Sequence, residues 1–75
     1  MNKARRAKLK DASKWLELSK EIVEFVLDEE SDAFDSMPEN LQDSMRGSEM
    51  QDNIDALDEI LSDLEDVIDS IGNLV

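Results

Sequence analysis

An all-α fold is what this sequence predicts, as two long helices folded back into an antiparallel hairpin around a short helical connection. Three features predict it. Apolar residues recur at heptad spacing over the last third of the chain. The first third reads as one uninterrupted helix former without Gly or Pro. The only Pro, Pro38, and one of the two Gly, Gly47, fall between those stretches, where breakers mark a connection. The 75 residues make a single domain, divided into a helix over about 3–33, a connection with a short helix over about 34–48, and a helix over about 49–72.

The first helix is rich in Ala, Leu, Lys and Glu, all good helix formers. Leu9, Ala12, Leu16, Val23 and Val26 set one apolar seam. Trp15, Leu18, Ile22 and Phe25 set a second beside it. Together they span roughly 200° of the helix, well beyond the ~100° stripe of an ordinary surface helix. One partner helix cannot cover such an arc. The expectation is therefore a homodimer whose interface is Trp15, Leu18, Ile22 and Phe25, two hairpins making a four-helix bundle, with a self-sufficient three-helix monomer as the alternative.

In the middle, D-S-M-P-E-N-L-Q-D-S-M-R-G-S from Asp35 to Ser48, Ser36 and Glu39 read as a capping box around Pro38, which a first helical turn tolerates. A short helix over Pro38–Asp43 follows. Gly47 reads as the stop, and Ser48 with Gln51 as a second capping box opening the last helix. There Met50, Ile54, Leu57, Leu61, Leu64, Ile68 and Ile71 step by 4, 3, 4, 3, 4, 3, a d/a repeat over three heptads. Ile60, Val67 and Leu74 widen that face, and Gly72 falls where a left-handed C-cap is expected.

The formal charge is −12, and it is unevenly spread. Residues 1–20 carry seven basic residues against Asp11 and Glu17, a balance of +5. Residues 21–75 carry 18 acids against Arg46 alone, a balance of −17. An antiparallel hairpin is expected to set the basic start beside the acidic stretch from Asp58 and Glu59 through Asp63, Glu65 and Asp66 to Asp69, which would offset cations opposing a helix dipole. A polyanion of this kind attracts basic protein surfaces and is repelled by nucleic acid and anionic lipid, so neither direct nucleic-acid binding nor membrane binding is expected. The longest apolar run is three residues, Phe25-Val26-Leu27. It is too short for a membrane span or a signal peptide, which predicts a cytoplasmic protein.

Catalysis has little to work with. The chain has no His, Cys or Tyr, removing the commonest acid–base groups and nucleophiles. With neither Cys nor His there is no structural zinc site. The stretch D-E-E-S-D at Asp28–Asp32 lacks the glycine and ligand spacing of a calcium loop. No enzyme, no cofactor and no specific metal is expected, and no catalytic residue is assigned.

The acidic face carries the partner expectation. Asp52, Asp55, Glu59, Asp63 and Asp66 recur at i+3 and i+4, which lines carboxylates along one side of the helix and crudely imitates a nucleic-acid charge track. The plainer reading is a solvated face that keeps a small protein soluble. Asp outnumbers Glu, eleven to nine, although Asp is the poorer helix former. For Trp15 and Phe25, packing in a seam or dimer stands beside partner contact.

The stretch F-D-S-M-P-E-N-L-Q-D-S-M-R-G-S-E-M-Q-D-N-I-D-A-L-D-E resembles a group of short acidic helical proteins from bacteriophages and mobile elements of Gram-positive bacteria. Phe34, Pro38, Leu41, Gln42, Ser44, Arg46, Gly47, Met50, Ile54 and Leu57 carry the resemblance, with Arg5-Arg6 at the basic start. It implies a phage or prophage setting, nothing catalytic, and a connection that is more than a spacer. Two functions are expected on this footing. The first is an accessory protein that binds and modulates or inhibits a host protein with a basic surface through the carboxylate face, the expected target being a nucleic-acid-binding or defence enzyme. The second is a structural dimeric module whose acidity serves solubility, its partner docking on Phe34, Pro38, Leu41 and Arg46.

Overall fold

The structure, a computed structural model of residues 1–75, contains α1 (Lys3–Asp35), α2 (Glu39–Gln42) and α3 (Met45–Gly72) and no strand. The two long helices run antiparallel, and the rod they form measures 58 × 14 × 12 Å. The all-helical hairpin with a short central helix is the architecture read from the sequence.

One seam joins α1 and α3. On α3 it consists of Met50, Ile54, Leu57, Leu61, Leu64, Ile68 and Ile71, all half-buried, the expected heptad. On α1 the half-buried positions are Leu9, Ala12, Ser13, Leu16, Lys20, Val23, Leu27, Glu30, Ser31 and Phe34. Val26, expected in this seam, is instead 43% exposed, and Leu27 takes its place. The heptad of α1 is interrupted by Ser13, Lys20 and Glu30, so an apolar count alone misplaces its register. No apolar side chain anywhere in the chain is fully buried.

The connection departs from the sequence reading at three points, each with a physical cause. Ser36 does not open α2: it is the C-cap of α1, and Pro38 is the N-cap of α2 without a side-chain bond. Ser48 does not open α3 either. The N-cap is Ser44, whose Oγ accepts from the Gly47 N–H at 3.3 Å, so α3 starts four residues earlier than expected. Gly47 is therefore inside the helix, and it is the one fully buried residue of the chain. A Cβ there would lie 2.6 Å from the Gln42 carbonyl carbon and 2.7 Å from its Cα. Glycine is required because α3 crosses the α2 backbone at contact, not because a helix ends. Gly72 likewise is no left-handed cap. No residue has positive φ, and the last turn closes on Asn73 N–H to Asp69 O.

Gln42 completes the turn. Its Nε2 donates to the carbonyls of Phe34 (3.1 Å) and Met37 (3.2 Å), tying the end of α1 and the residues after it to the end of α2. Asn2 caps the other end of that helix, accepting from the Arg5 N–H at 2.8 Å.

The two glycines should respond oppositely to alanine. Gly47→Ala forces a methyl into backbone and should destabilise by roughly 1–3 kcal/mol, outweighing the ~1 kcal/mol helix-propensity gain. Nothing lies within 4 Å of a Cβ on Gly72, so Gly72→Ala should be neutral or stabilising by up to ~1 kcal/mol. Urea melts followed by circular dichroism check both.

Candidate functional site: two exposed faces on opposite flanks

The second apolar row of α1 lies away from α3. Helical periodicity places Trp15, Leu18, Ile22 and Phe25 roughly 150° around α1 from the seam. Accordingly Trp15 is 70% exposed, Ile22 65% and Phe25 63%, with Leu18 half covered. They border an open groove of about 510 Å³. The Ser19 hydroxyl beside them donates to the Trp15 carbonyl at 2.9 Å and is turned back onto its own helix. The apolar surface then continues over one broad side of the hairpin through Val26, Ile60 and Val67, all more than 40% exposed. A shallower groove of about 280 Å³ between Val26 and the Ala56–Ile60 turn joins the helices on that side.

The carboxylate row occupies the opposite flank. Asp52, Asp55, Glu59, Asp63 and Asp66 are all exposed, on the face of α3 turned away from its seam. Asp55 accepts from Gln51 Nε2 at 3.0 Å. No cation reaches the row, since the chain's ion pairs are Lys20 Nζ with Glu65 (3.2 Å) and with Glu24 (3.9 Å). No group of three or more acidic side chains converges as a metal site would require, the Asp28–Asp32 stretch included.

This pairing corrects the expected charge layout. Of the seven basic residues in the first twenty, Lys20 alone bonds to an acid. The register explains why. With Lys20 beside Glu65, Gly72 lies roughly level with residue 13, at 1.5 Å per residue on each helix. Lys3 to Lys10 therefore project past the last turn of α3, out of reach of Asp58 to Asp66. Lys20 itself sits in the seam between Leu16 and Val23. The Glu65 hydrogen bond is the largest influence and raises its pKa; desolvation, next in size, lowers it, and the charges of Glu65, Glu24 and Glu17 each push it up by less, leaving it raised.

The connection proposed as an alternative docking surface is partly accounted for by the turn. Phe34 is half-buried at the end of the seam, Pro38 is the α2 N-cap, and Gln42, Ser44 and Gly47 build the crossing. Leu41 (45%), Met45 (80%) and Arg46 remain exposed at that end. Sequence reasoning passed over Met45 because it was placed before the helix; the S-x-x-G spacing of Ser44 and Gly47 was the available signal. No helix is long and apolar enough to cross a membrane. No family model, curated protein or solved structure matches this chain.

The Lys20 pair carries a pH signature. A lysine whose folded pKa exceeds the unfolded value contributes stability that is intact below ~10.4. That contribution is lost as pH rises through the folded pKa. Lys20→Met should remove this part of the alkaline loss of stability while leaving the neutral-pH fold intact. Thermal melts of both proteins from pH 7 to 11 check the difference.

Proposed function

We propose that this chain is a non-catalytic, phage-type accessory protein. It pairs with itself through α1 and presents the carboxylate face of α3 to a host protein that carries a basic surface. The observation that carries this reading is the separation of the two faces. The apolar stripe and the acidic row lie on opposite flanks, and the rest of the chain covers neither.

Self-pairing follows from the energetics of the stripe. Burying one such side chain contributes ~1.5–3 kcal/mol. Eight of them, four per protomer and half to two-thirds uncovered, supply roughly 10 kcal/mol. That is the same order as the ~4–15 kcal/mol cost of association. Val26, Ile60 and Val67 extend the same surface toward the four-helix bundle that the sequence predicts.

The acidic row supports a charge-reading role for the other flank. It spans about 21 Å with a carboxylate every ~5 Å, against one phosphate per ~3.4 Å of axis on a DNA strand. Its charge density is thus roughly two-thirds that of a single strand. The target is a cationic cleft in a nucleic-acid-binding or defence enzyme of the cytoplasm, which the row would occupy and block. A second reading, docking on the connection, draws on the exposure of Leu41 and Met45.

Replacing the five acids by Asn and Gln tests the reading directly. Capture of the host partner should be lost, while helicity is preserved, because exposed like charges contribute little stability. Wild-type capture should fall at least tenfold between low and physiological salt as the charges are screened. Leu41→Ala with Arg46→Ala should have little effect. Full-strength capture by the neutralised variant, with loss in the connection variant, would transfer the function to the connection.

A further inference from the structure

The charges left unpaired on α1 specify how its stripe is covered. Six cations lie between Lys3 and Lys14, with Asp11 the one acid among them, a balance of +5. Five acids and no cation lie between Asp28 and Asp35, a balance of −5. None of these residues forms an ion pair within the chain. Both ends also oppose the helix dipole: the first turn of α1 has no acid and the last turn no base. Cations crowd the positive end and Asp32 and Asp35 the negative end, each an unfavourable placement. The stripe lies between the two charge blocks, and its centre, between Leu18 and Ile22, is also the point midway between them.

We infer that the stripe is covered by a second copy of this chain lying antiparallel to the first, about a two-fold axis level with Lys20. This rests on the self-pairing reading above and adds its direction. Two-fold symmetry about that point sets residue i level with residue 40 − i of the second copy. Trp15 then meets Phe25 of the second copy, and Leu18 meets its Ile22, so large aromatic and branched side chains alternate across the contact. Lys8 comes level with Asp32 of the second copy and Lys14 comes within a helical turn of its Asp28. Each basic block lies along an acidic block, and each helix end lies beside a dipole of opposite sign. Two oppositions are like-signed: Asp11 with Glu29 of the second copy, which Lys8 and Lys14 flank, and Lys20 with its own copy, which lies in the α3 seam on the other side of α1 and is bonded to Glu65. A parallel pair reverses the outcome, with +5 on +5 and −5 on −5 along the same contact. The arrangement leaves the acidic row of each α3 on the outside.

Spin labels decide the direction, since the chain has no cysteine of its own. Ser36→Cys places one label at the end of α1, at an exposed position about three turns beyond Phe25. An antiparallel dimer separates the two labels by about 50 Å along the helix axis, a parallel one by under about 20 Å. The long distance is expected. A dimer with the short distance overturns the antiparallel arrangement and leaves self-pairing standing. No dipolar signal, with a monomer in sedimentation, overturns both. As a second measurement, Lys8→Glu with Lys14→Glu should weaken dimerisation at least tenfold at low salt. Mixing that variant with Asp28→Lys plus Asp32→Lys should restore it. All four positions are exposed, so helicity should be unchanged. Undiminished dimerisation of the Lys8→Glu, Lys14→Glu variant alone overturns the pairing of the charge blocks.

Discussion

Everything in this chain depends on one two-helix seam. Two helices share a single line of contact, and a side chain on that line is covered from one side only. This is why Leu16, Val23, Leu57 and Leu61 are half-buried and no apolar side chain is fully removed from water. A chain of this length has little net stability to draw on even with a closed core, and no disulfide or zinc site can replace one. The hairpin is held together by the heptad of α3, the interrupted heptad of α1, the Lys20–Glu65 bond and the close crossing at Gly47. The seam cannot also occupy the outer side of α1. The exposed stripe there follows from having more apolar surface than one partner helix can use.

That constraint separates the roles of the two helices. α3 spends its unbroken heptad on the seam and keeps Ile60 and Val67 partly exposed beside it, so the face opposite the seam is free to carry charge. α1 has two apolar rows and spends one. Its polar positions fall within the seam at Ser13, Lys20 and Glu30, while the outer row over Trp15 to Phe25 has no polar interruption. The better apolar row of α1 is therefore the one turned away from α3. This inversion is hard to reconcile with a protein that ends as an isolated hairpin, and it gives the self-association reading its force. The acidic flank on the far side stays exposed.

Much of this was legible in the sequence. The α3 seam was read residue by residue, because its heptad is apolar at every step and periodicity alone places it. The existence of both α1 rows was legible too, but their relation was not. With Lys20 and Glu30 inside the seam, an apolar count put Val26 there in place of Leu27. The connection was the least legible part. Serines at 36, 44 and 48 each stand where a cap is chemically reasonable, and only the crossing of α2 and α3 selects Ser44 for α3. The same crossing explains Gly47, whose role depends on the Gln42 backbone that packs against it and not on its neighbours in sequence. Pro38, Gln42, Ser44 and Gly47, on which the expected phage-protein resemblance rests, are in this fold turn-building residues. The pairing of the basic start with the acidic helix failed for a geometric reason, since it depends on a register that the charges themselves do not encode.

The central claim is that the outer row of α1 is covered in the working protein. Trp15 is the only tryptophan and is 70% exposed in the single chain, so its fluorescence reports on that row alone. Acrylamide quenching of Trp15 across protein concentrations from nanomolar to tens of micromolar tests the claim without a mutation or a label. Covering by self-association predicts free access to quencher in dilute solution and strong protection at micromolar concentration. Ile22→Asp should abolish that protection while the helical circular dichroism persists. Quenching that stays equally efficient at every concentration would show that the row stays open, and would contradict the account.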